Sequence, residues 1–208
     1  MISITENEGN ARLGAALPRT MITLVGIEKI LPRLEDLALF LPLLANAGTG
    51  QAVACYNTLY SGPRLPGEPD GPDEYHVVLL DNGRTRLLAD PEKRDALRCI
   101  RCGACLNVCP VFRTVGGHAY GTTYSGPIGS VITPVLRGLG EWKHLSAASS
   151  LCGACTETCP VGIDLHRHLL RNRRDAIHAA EDGVERKAYR AFAGVVRNPR
   201  LYRWAVRT

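Results

Sequence analysis

Apolar and polar positions along this chain fall into short extended runs up to about residue 88 and into helical repeats after it. Ile2-Ser-Ile-Thr and Ala11-Arg-Leu flank Glu8-Gly9-Asn10, a pattern that predicts two short strands about a turn. Met21 to Val25 reads as a buried-strand run ending at Gly26. After Pro32, Leu34, Leu37, Leu41 and Leu44 recur at helical spacing, with Glu35 and Asp36 where the helix dipole favours acids. Pro42 should kink that helix. Gln51 to Tyr60 and Tyr75 to Leu80 predict two more strands, separated by a Pro/Gly-rich connection from Ser61 to Pro72. Strand, helix, strand in this order predicts a parallel or mixed sheet, with too few elements for a complete doubly wound domain.

Asp81-Asn82-Gly83 is a turn that closes the α/β part, and Asp90-Pro91 should cap a short helix leading to Cys99. Val131 to Leu139 and Leu145 to Ser150 read as short helices. From about Asp164 to Glu181 a polar helix gathers Leu165, Leu169, Ala176, Ile177 and Ala180 on one face, which places His166, His168 and His178 at the surface. Gly183 should end it. A last amphipathic helix sets Tyr189, Phe192 and Val196 against Arg186, Arg190 and Arg197, and breaks at Pro199. The expected divisions are an α/β part at 1–88, a helical part at 89–182 and a basic helical tail at 183–208.

Composition narrows the class. A chain of 208 residues with 45% hydrophobic content can bury a core in one or two domains. Its first residues, Met1-Ile-Ser-Ile-Thr-Glu-Asn-Glu, are acidic and do not form a signal peptide. The longest apolar stretch, Leu37 to Ala45, is too short to cross a bilayer. A cytoplasmic location is expected. The net charge of +5 comes mostly from the tail, where residues 183–208 carry seven basic residues and one acid, Glu185. Such a tail suits an acidic partner protein or peripheral contact with a membrane surface. No zinc finger, helix-turn-helix or aromatic RNA-binding signature accompanies it, so nucleic acid is not expected.

The chemistry lies in the cysteines, seven of the eight falling between Arg98 and Pro160. Cys99, Cys102, Cys105 and Cys109 precede Pro110 as C-x2-C-x2-C-x3-C-P. Cys152, Cys155 and Cys159 precede Pro160 as C-x2-C-x3-C-P. This is the spacing of a bacterial two-cluster iron-sulfur module, in which the last cysteine of each run ligates the other cluster. Cys99, Cys102, Cys105 and Cys159 are therefore expected at one cluster, and Cys109, Cys152 and Cys155 at the second. Both are most simply [4Fe-4S]. The runs form an internal repeat at an offset of fifty residues, with Arg101 to Val111 aligned on Leu151 to Val161 and Cys99 opposite Ser149. The second cluster is thus one thiolate short. Water, a serine oxygen, a histidine or a partner's ligand could fill that corner, or the cluster could be [3Fe-4S]. Ser149 and Ser150 are the local candidates, although serine is a poor ligand beside thiolate and commonly caps helices. His118 and His144 are the histidines that lie between the two runs.

Structural zinc is a poorer match, since it takes separated cysteine pairs, and an odd set of seven does not suit a disulfide framework. Cys55, in the apolar run Ala52 to Tyr60, reads as a core residue. Gly26-Ile-Glu-Lys29 weakly resembles an anion-binding turn, and a solvated lysine is the simpler reading. Val111 to Ser130 is rich in Gly, Tyr and Thr and lacks a phosphate-loop ending. It is expected to wrap the clusters and exclude water. No paired carboxylates and no Ser/His arrangement suggest a hydrolytic site.

These residues resemble the family of iron-sulfur proteins of the bacterial lactate-utilisation system, an L-lactate oxidising complex. The resemblance runs through Glu8-Gly-Asn, Gly26-Ile-Glu-Lys-Ile, Thr49-Gly-Gln, Ser61-Gly-Pro-Arg, His76 to Arg84, Leu97 to Pro110, Gly116-Gly-His-Ala-Tyr-Gly, Gly126-Pro-Ile-Gly and Ser149 to Pro160. It implies that 1–88 is the end of a LUD domain, an α/β sheet akin to the sugar-phosphate isomerase and CoA-transferase group. A helical two-cluster ferredoxin-type domain would follow. It implies that the missing thiolate is a family trait. The expected role is electron transfer within an oxidoreductase complex, in company with other subunits, rather than catalysis by this chain alone. A subunit serving another 2-hydroxy acid or glycerol phosphate, or a truncated cluster-binding fragment, is the alternative. Two departures stand out: Met1 falls inside the LUD domain, which implies truncation or a sheet completed by another chain, and Met21 stands where relatives are expected to carry His.

Overall fold

Glu6 decides how the chain first turns. Its carboxylate accepts from the backbone N–H groups of Ala11 at 2.7 Å and Arg12 at 2.8 Å, donors that the start of a helix leaves free. The computed structural model, which describes residues 1–179 and 183–207, accordingly follows strand β1 (Ile2–Glu6) with helix α1 (Asn10–Ala16). The expected second strand at Ala11 is corrected by this cap. Strand β2 (Thr20–Gly26), helix α2 (Leu37–Thr49), strand β3 (Tyr56–Tyr60) and strand β4 (Glu74–Leu80) complete the α/β part. Helix α2 runs on through Pro42.

The strands form two separate two-stranded sheets. β1 pairs antiparallel with β3, with Ile4 opposite Thr58, and β2 pairs parallel with β4, with Thr23 opposite Val77. The parallel pair follows the strand, helix, strand order of the sequence. Its burial does not: Ile22 is 63% exposed and Leu24 70%, and Val77, Val78, Leu79 and Leu80 are also exposed. β2 is therefore a half-buried strand. Parallel sheets are ordinarily covered on both faces, and here one face of β2 has no cover among the described residues. Cys55 precedes β3 and is exposed rather than in the core. Its N–H donates to Asn7 Oδ1 at 3.0 Å.

The core belongs to the helical part. Helix α3 (Arg84–Ala89), a 3-10 turn (Arg94–Arg98), α4 (Ala104–Asn107), α5 (Pro110–Val115), α6 (Gly126–Arg137), α7 (Leu139–Ala147), α8 (Ala154–Glu157) and α9 (Leu165–Ala179) surround it. Leu87, Ile163, Leu165 and Leu169 are each 1% exposed. Burying each such side chain contributes roughly 1.5–3 kcal/mol over leaving it in water. Asn172 on α9 donates to the Val131 carbonyl at 2.9 Å and to Ser146 Oγ at 3.2 Å, which ties α9 to α6 and α7. α6 starts at Gly126, earlier than its periodicity suggested, with Pro127 in its first turn. α7 ends at Ala147, before Ser149 and Ser150. The expected helix at Asp90-Pro91 is a turn leading to the 3-10 segment, with Asp90 Oδ1 accepting from Glu92 N–H at 2.9 Å.

His168 corrects the surface assignment for α9. It is fully buried, with Nε2 2.8 Å from Asp95 Oδ1, so the helix presents one imidazole inward among its apolar residues. His166 is half-buried against Thr156, and His178 is exposed. The expected helix end at Ala180 and Glu181, and the Arg186 side chain, lie outside the described residues. α10 (Gly183–Arg197) and α11 (Pro199–Arg207) follow, parted at Asn198 before Pro199, with Tyr189, Phe192 and Val196 exposed. Among the described residues, no helix is long and apolar enough to cross a membrane.

Candidate metal centre

The two cysteine runs fold alike, residue for residue at the fifty-residue offset. Arg101 and Leu151 both take positive φ, 62° and 56°, and Gly103 and Gly153 follow at 81° and 87°. Left-handed backbone is costly for a residue with a Cβ, so each turn spends one such residue and uses glycine for the second. Helices α4 and α8 then begin at Ala104 and Ala154. The effect is to turn backbone N–H groups onto sulfur. Cys99 Sγ accepts from Arg101 at 3.4 Å, Cys109 Sγ from Phe112 at 3.5 Å and Cys159 Sγ from Ile163 at 3.4 Å. In the second run Ser149 Oγ accepts from Leu151 N–H at 3.1 Å, the contact that Cys99 makes in the first.

Sequence neighbours do not alone decide which sulfurs meet. A cavity of about 180 Å³ is lined by Cys99, Cys102 and Cys105 of the first run together with Cys159 from the second. Thr123, Tyr124, Ser125 and Ile128 close another side, so the segment between the runs does wrap this cavity, and Val161, Ile163 and Leu165 complete an apolar wall. Burial raises the Cys102 pKa, and the Cys99 and Cys159 thiols push it the same way. Burial also pushes the Cys105 thiol up to about 12, opposed by a hydrogen bond from the Ile128 backbone and reinforced by Cys99, Cys102 and Cys155. Cys155 is raised by burial and then by the nearby Cys109 and Cys152. Cys109 thus neighbours Cys155 of the second run, as Cys159 shares the cavity of the first. Cys152 is exposed and its pKa is lowered, first by the Ala154 N–H and then by Ser150.

This donor set fits a polynuclear iron-sulfur group. Among the described residues, no three His, Cys, Asp or Glu side chains converge as they would around a single metal ion. Four sulfurs from two runs lining one cavity suit the separate corners of a cluster core. His118 and His144 are exposed and stand outside the cavity lining.

The α/β part reaches the first run through residues that the sequence pattern places in solvent. β2 ends at Gly26, and a 3-10 turn at Ile27–Lys29 carries Glu28 and Lys29 toward the helices. Glu28 Oε2 lies 2.6 Å from Arg84 Nε, with the two side chains 6% and 4% exposed. Arg84 also donates to the Asp81 carbonyl at 3.1 Å and to the Tyr124 hydroxyl at 3.3 Å. The Arg101 guanidinium lies over the Tyr124 ring, 4.0 Å from its centroid. Lys29 is half-buried, and its ammonium donates to the Cys99 carbonyl. Desolvation, then Arg101, lowers the Lys29 pKa, while Cys99 and Glu28 act in the opposite direction. The sequence signal for this contact was the Gly26-Ile-Glu-Lys segment, whose partner seventy residues away had no local mark.

Two family descriptions match the chain, the LUD domain over residues 1–80 and the 4Fe-4S dicluster domain over residues 95–163. The chain is similar to lactate utilization protein B of Bacillus velezensis, 48% identical over 204 residues, covering 97% of this chain and 43% of the relative. Lactate utilization protein B 1 of Bacillus mycoides is 48% identical over 208 residues, covering 100% of this chain and 43% of the relative. Lactate utilization protein B of Geobacillus kaustophilus is 45% identical over 208 residues, covering 99% and 44% respectively. The chain spans less than half the length of these curated relatives. No solved structure gives a significant match.

Proposed function

Because this chain joins a LUD-domain segment to a 4Fe-4S dicluster domain and belongs to the family of lactate utilization protein B, we propose that it is the iron-sulfur electron-transfer part of an L-lactate oxidising complex. In this reading Cys99, Cys102, Cys105 and Cys159 hold the first cluster, and Cys109, Cys152 and Cys155 hold the second. The clusters, when bound, supply one-electron acceptor and donor chemistry, so that electrons from lactate pass through them toward an acceptor. The chain's own task is to bind and insulate. The N–H groups of Arg101, Phe112 and Ile163 point at sulfur and stabilise thiolate charge. Tyr124, Ile128, Ile163 and Leu165 keep water from the first cavity. The β2–β4 pair is part of a LUD-type sheet akin to the sugar-phosphate isomerase and CoA-transferase group. The protein works in the cytoplasm with other subunits of the complex.

The observation that carries the reading is the presence of Cys159 in the cavity of the first run. Anaerobic loading followed by iron and sulfide counting and electron paramagnetic resonance tests it. Cys159→Ala should remove or alter the signal of the first cluster and spare the second, and Cys109→Ala should do the reverse. Loss of the second cluster alone on Cys159→Ala would refute the pairing, and a preparation holding only zinc would refute the reading.

A further inference from the structure

Cation placement around the first cavity is one-sided. Lys29 comes from the α/β part and contacts the Cys99 backbone, Arg101 belongs to the first run itself, and Arg84 stands behind both on α3. Lys29, Arg84, Arg101 and Cys99 line a small neighbouring pocket, and against these three cations it holds one carboxylate, Glu28, already engaged by Arg84 at 2.6 Å and 3.8 Å from Lys29 Nζ. A net positive environment therefore abuts the turn that carries Cys99. In the second run the matching carbonyl, that of Ser149, takes Arg173 of α9 at 2.5 Å, a cation from the helical part itself, and the acid Glu157 stands near Cys152. Lys29 is the member of the cationic group whose position depends on the α/β part. It is only 31% exposed, and the buried Glu28 at the preceding position pins its turn.

We propose that Lys29 is a positioning residue for the first iron-sulfur cluster: its ammonium, fixed against the Cys99 carbonyl by the Glu28–Arg84 pair, raises that cluster's reduction potential. The inference rests on the ligand assignment made above. Adding an electron to a core surrounded by thiolates increases its negative charge. A cation held close by in a partly desolvated site stabilises the reduced form more than the oxidised one. The carbonyl contact fixes the distance, so the effect does not depend on a mobile surface chain. It also gives the LUD segment a role at the metal centre, since the lysine belongs to residues 1–80 while the cysteines lie in 95–163.

The test is a redox titration of the full chain after anaerobic loading, followed by electron paramagnetic resonance, for the native sequence, Lys29→Met, Lys29→Gln and Lys29→Arg. Both uncharged variants should lower the midpoint of the first cluster so that, at the native midpoint, the reduced-to-oxidised ratio falls about tenfold, which is about 59 mV for a one-electron couple. The second cluster should keep its midpoint, and Lys29→Arg should restore the native value for the first. Unchanged midpoints in both uncharged variants would overturn the proposal, as would equal shifts in both clusters, which would mark a general loosening of the fold. A native chain that takes up no clusters would overturn the ligand assignment instead, a failure that iron counting detects before any titration begins.

Discussion

Removing Glu28 alone should cost more stability than removing Glu28 and Arg84 together. The pair lies in a region where the side chains are 6% and 4% exposed, at an Nε to Oε2 distance of 2.6 Å. Truncating one partner of such a pair leaves a buried, uncompensated charge, at a cost of about 3–5 kcal/mol. Arg84 keeps two other acceptors, the Asp81 carbonyl at 3.1 Å and the Tyr124 hydroxyl at 3.3 Å. These place Glu28→Leu near the lower end, about 3 kcal/mol. Set against a domain stability of about 5–15 kcal/mol, that is a large fraction. Adding Arg84→Met removes the stranded guanidinium, and an apolar pair of similar volume should recover most of the loss. Urea unfolding of the native chain, both single variants and the double variant measures the coupling directly. The expected coupling is about 2–3 kcal/mol. A double variant as unstable as the sum of the singles would show that the pair carries no mutual dependence and would refute the argument.

Three further outcomes follow from the site and its supports. The Cys105 thiol, with its pKa pushed up to about 12 by burial, keeps its proton in the folded cluster-free chain at pH values where the unfolded chain has lost it. The folded state then binds more protons, so stability falls as pH rises above the ordinary thiol value, by about 1.4 kcal/mol per pH unit. Urea unfolding of reduced, cluster-free chain at pH 8 and pH 10 should show this loss, and Cys105→Ala should lessen it, the remainder coming from Cys102 and Cys155, whose thiols burial also raises. Gly129→Ala would drive a Cβ into the Tyr124 carbonyl, a backbone atom that cannot rotate away. The expected cost is near the top of the usual overpacking range, about 3 kcal/mol, with loss of the wall that Tyr124 gives the first cavity, read by thermal unfolding and by iron retention. Ser149→Cys puts a thiol where the second turn already matches the first. Iron bound per chain should hold or rise and the second cluster's resonance should become that of a four-iron centre. A fall in iron content would argue that the two turns are not equivalent.

The cysteine spacing made the site legible because cluster ligation is largely local: a cysteine every third residue with glycine between encodes the turn, and the repeat encodes its partner. Arg101 and Leu151 were invisible as left-handed positions, since nothing in an arginine or a leucine announces positive φ. Lys29 was misread for a different reason. A charged residue after a strand is usually solvated, and only the distant Cys99 carbonyl and the Glu28–Arg84 pair change that. His168 was misread because a polar helix hides one imidazole whose acid, Asp95, sits on another element. The helix at Asn10 was missed because its cap comes from Glu6, ahead of the glycine rather than after it. The strand order was legible from alternation of strand and helix, but alternation does not say whether a cover exists, and so β2 was expected to be buried.

The bare side of β2 and β4 has a consequence for anyone handling the polypeptide. Ile22 and Leu24 of β2 share one face with Val78 and Leu80 of β4, and all four meet water on a sheet only two strands wide. Hiding such surface is worth roughly 25 cal/mol for each Å² removed from solvent, so two molecules that collide there gain by staying together. Sedimentation should accordingly drift with protein concentration. Charged substitutions at Ile22 and Leu24 would restore monodisperse behaviour without touching a cysteine.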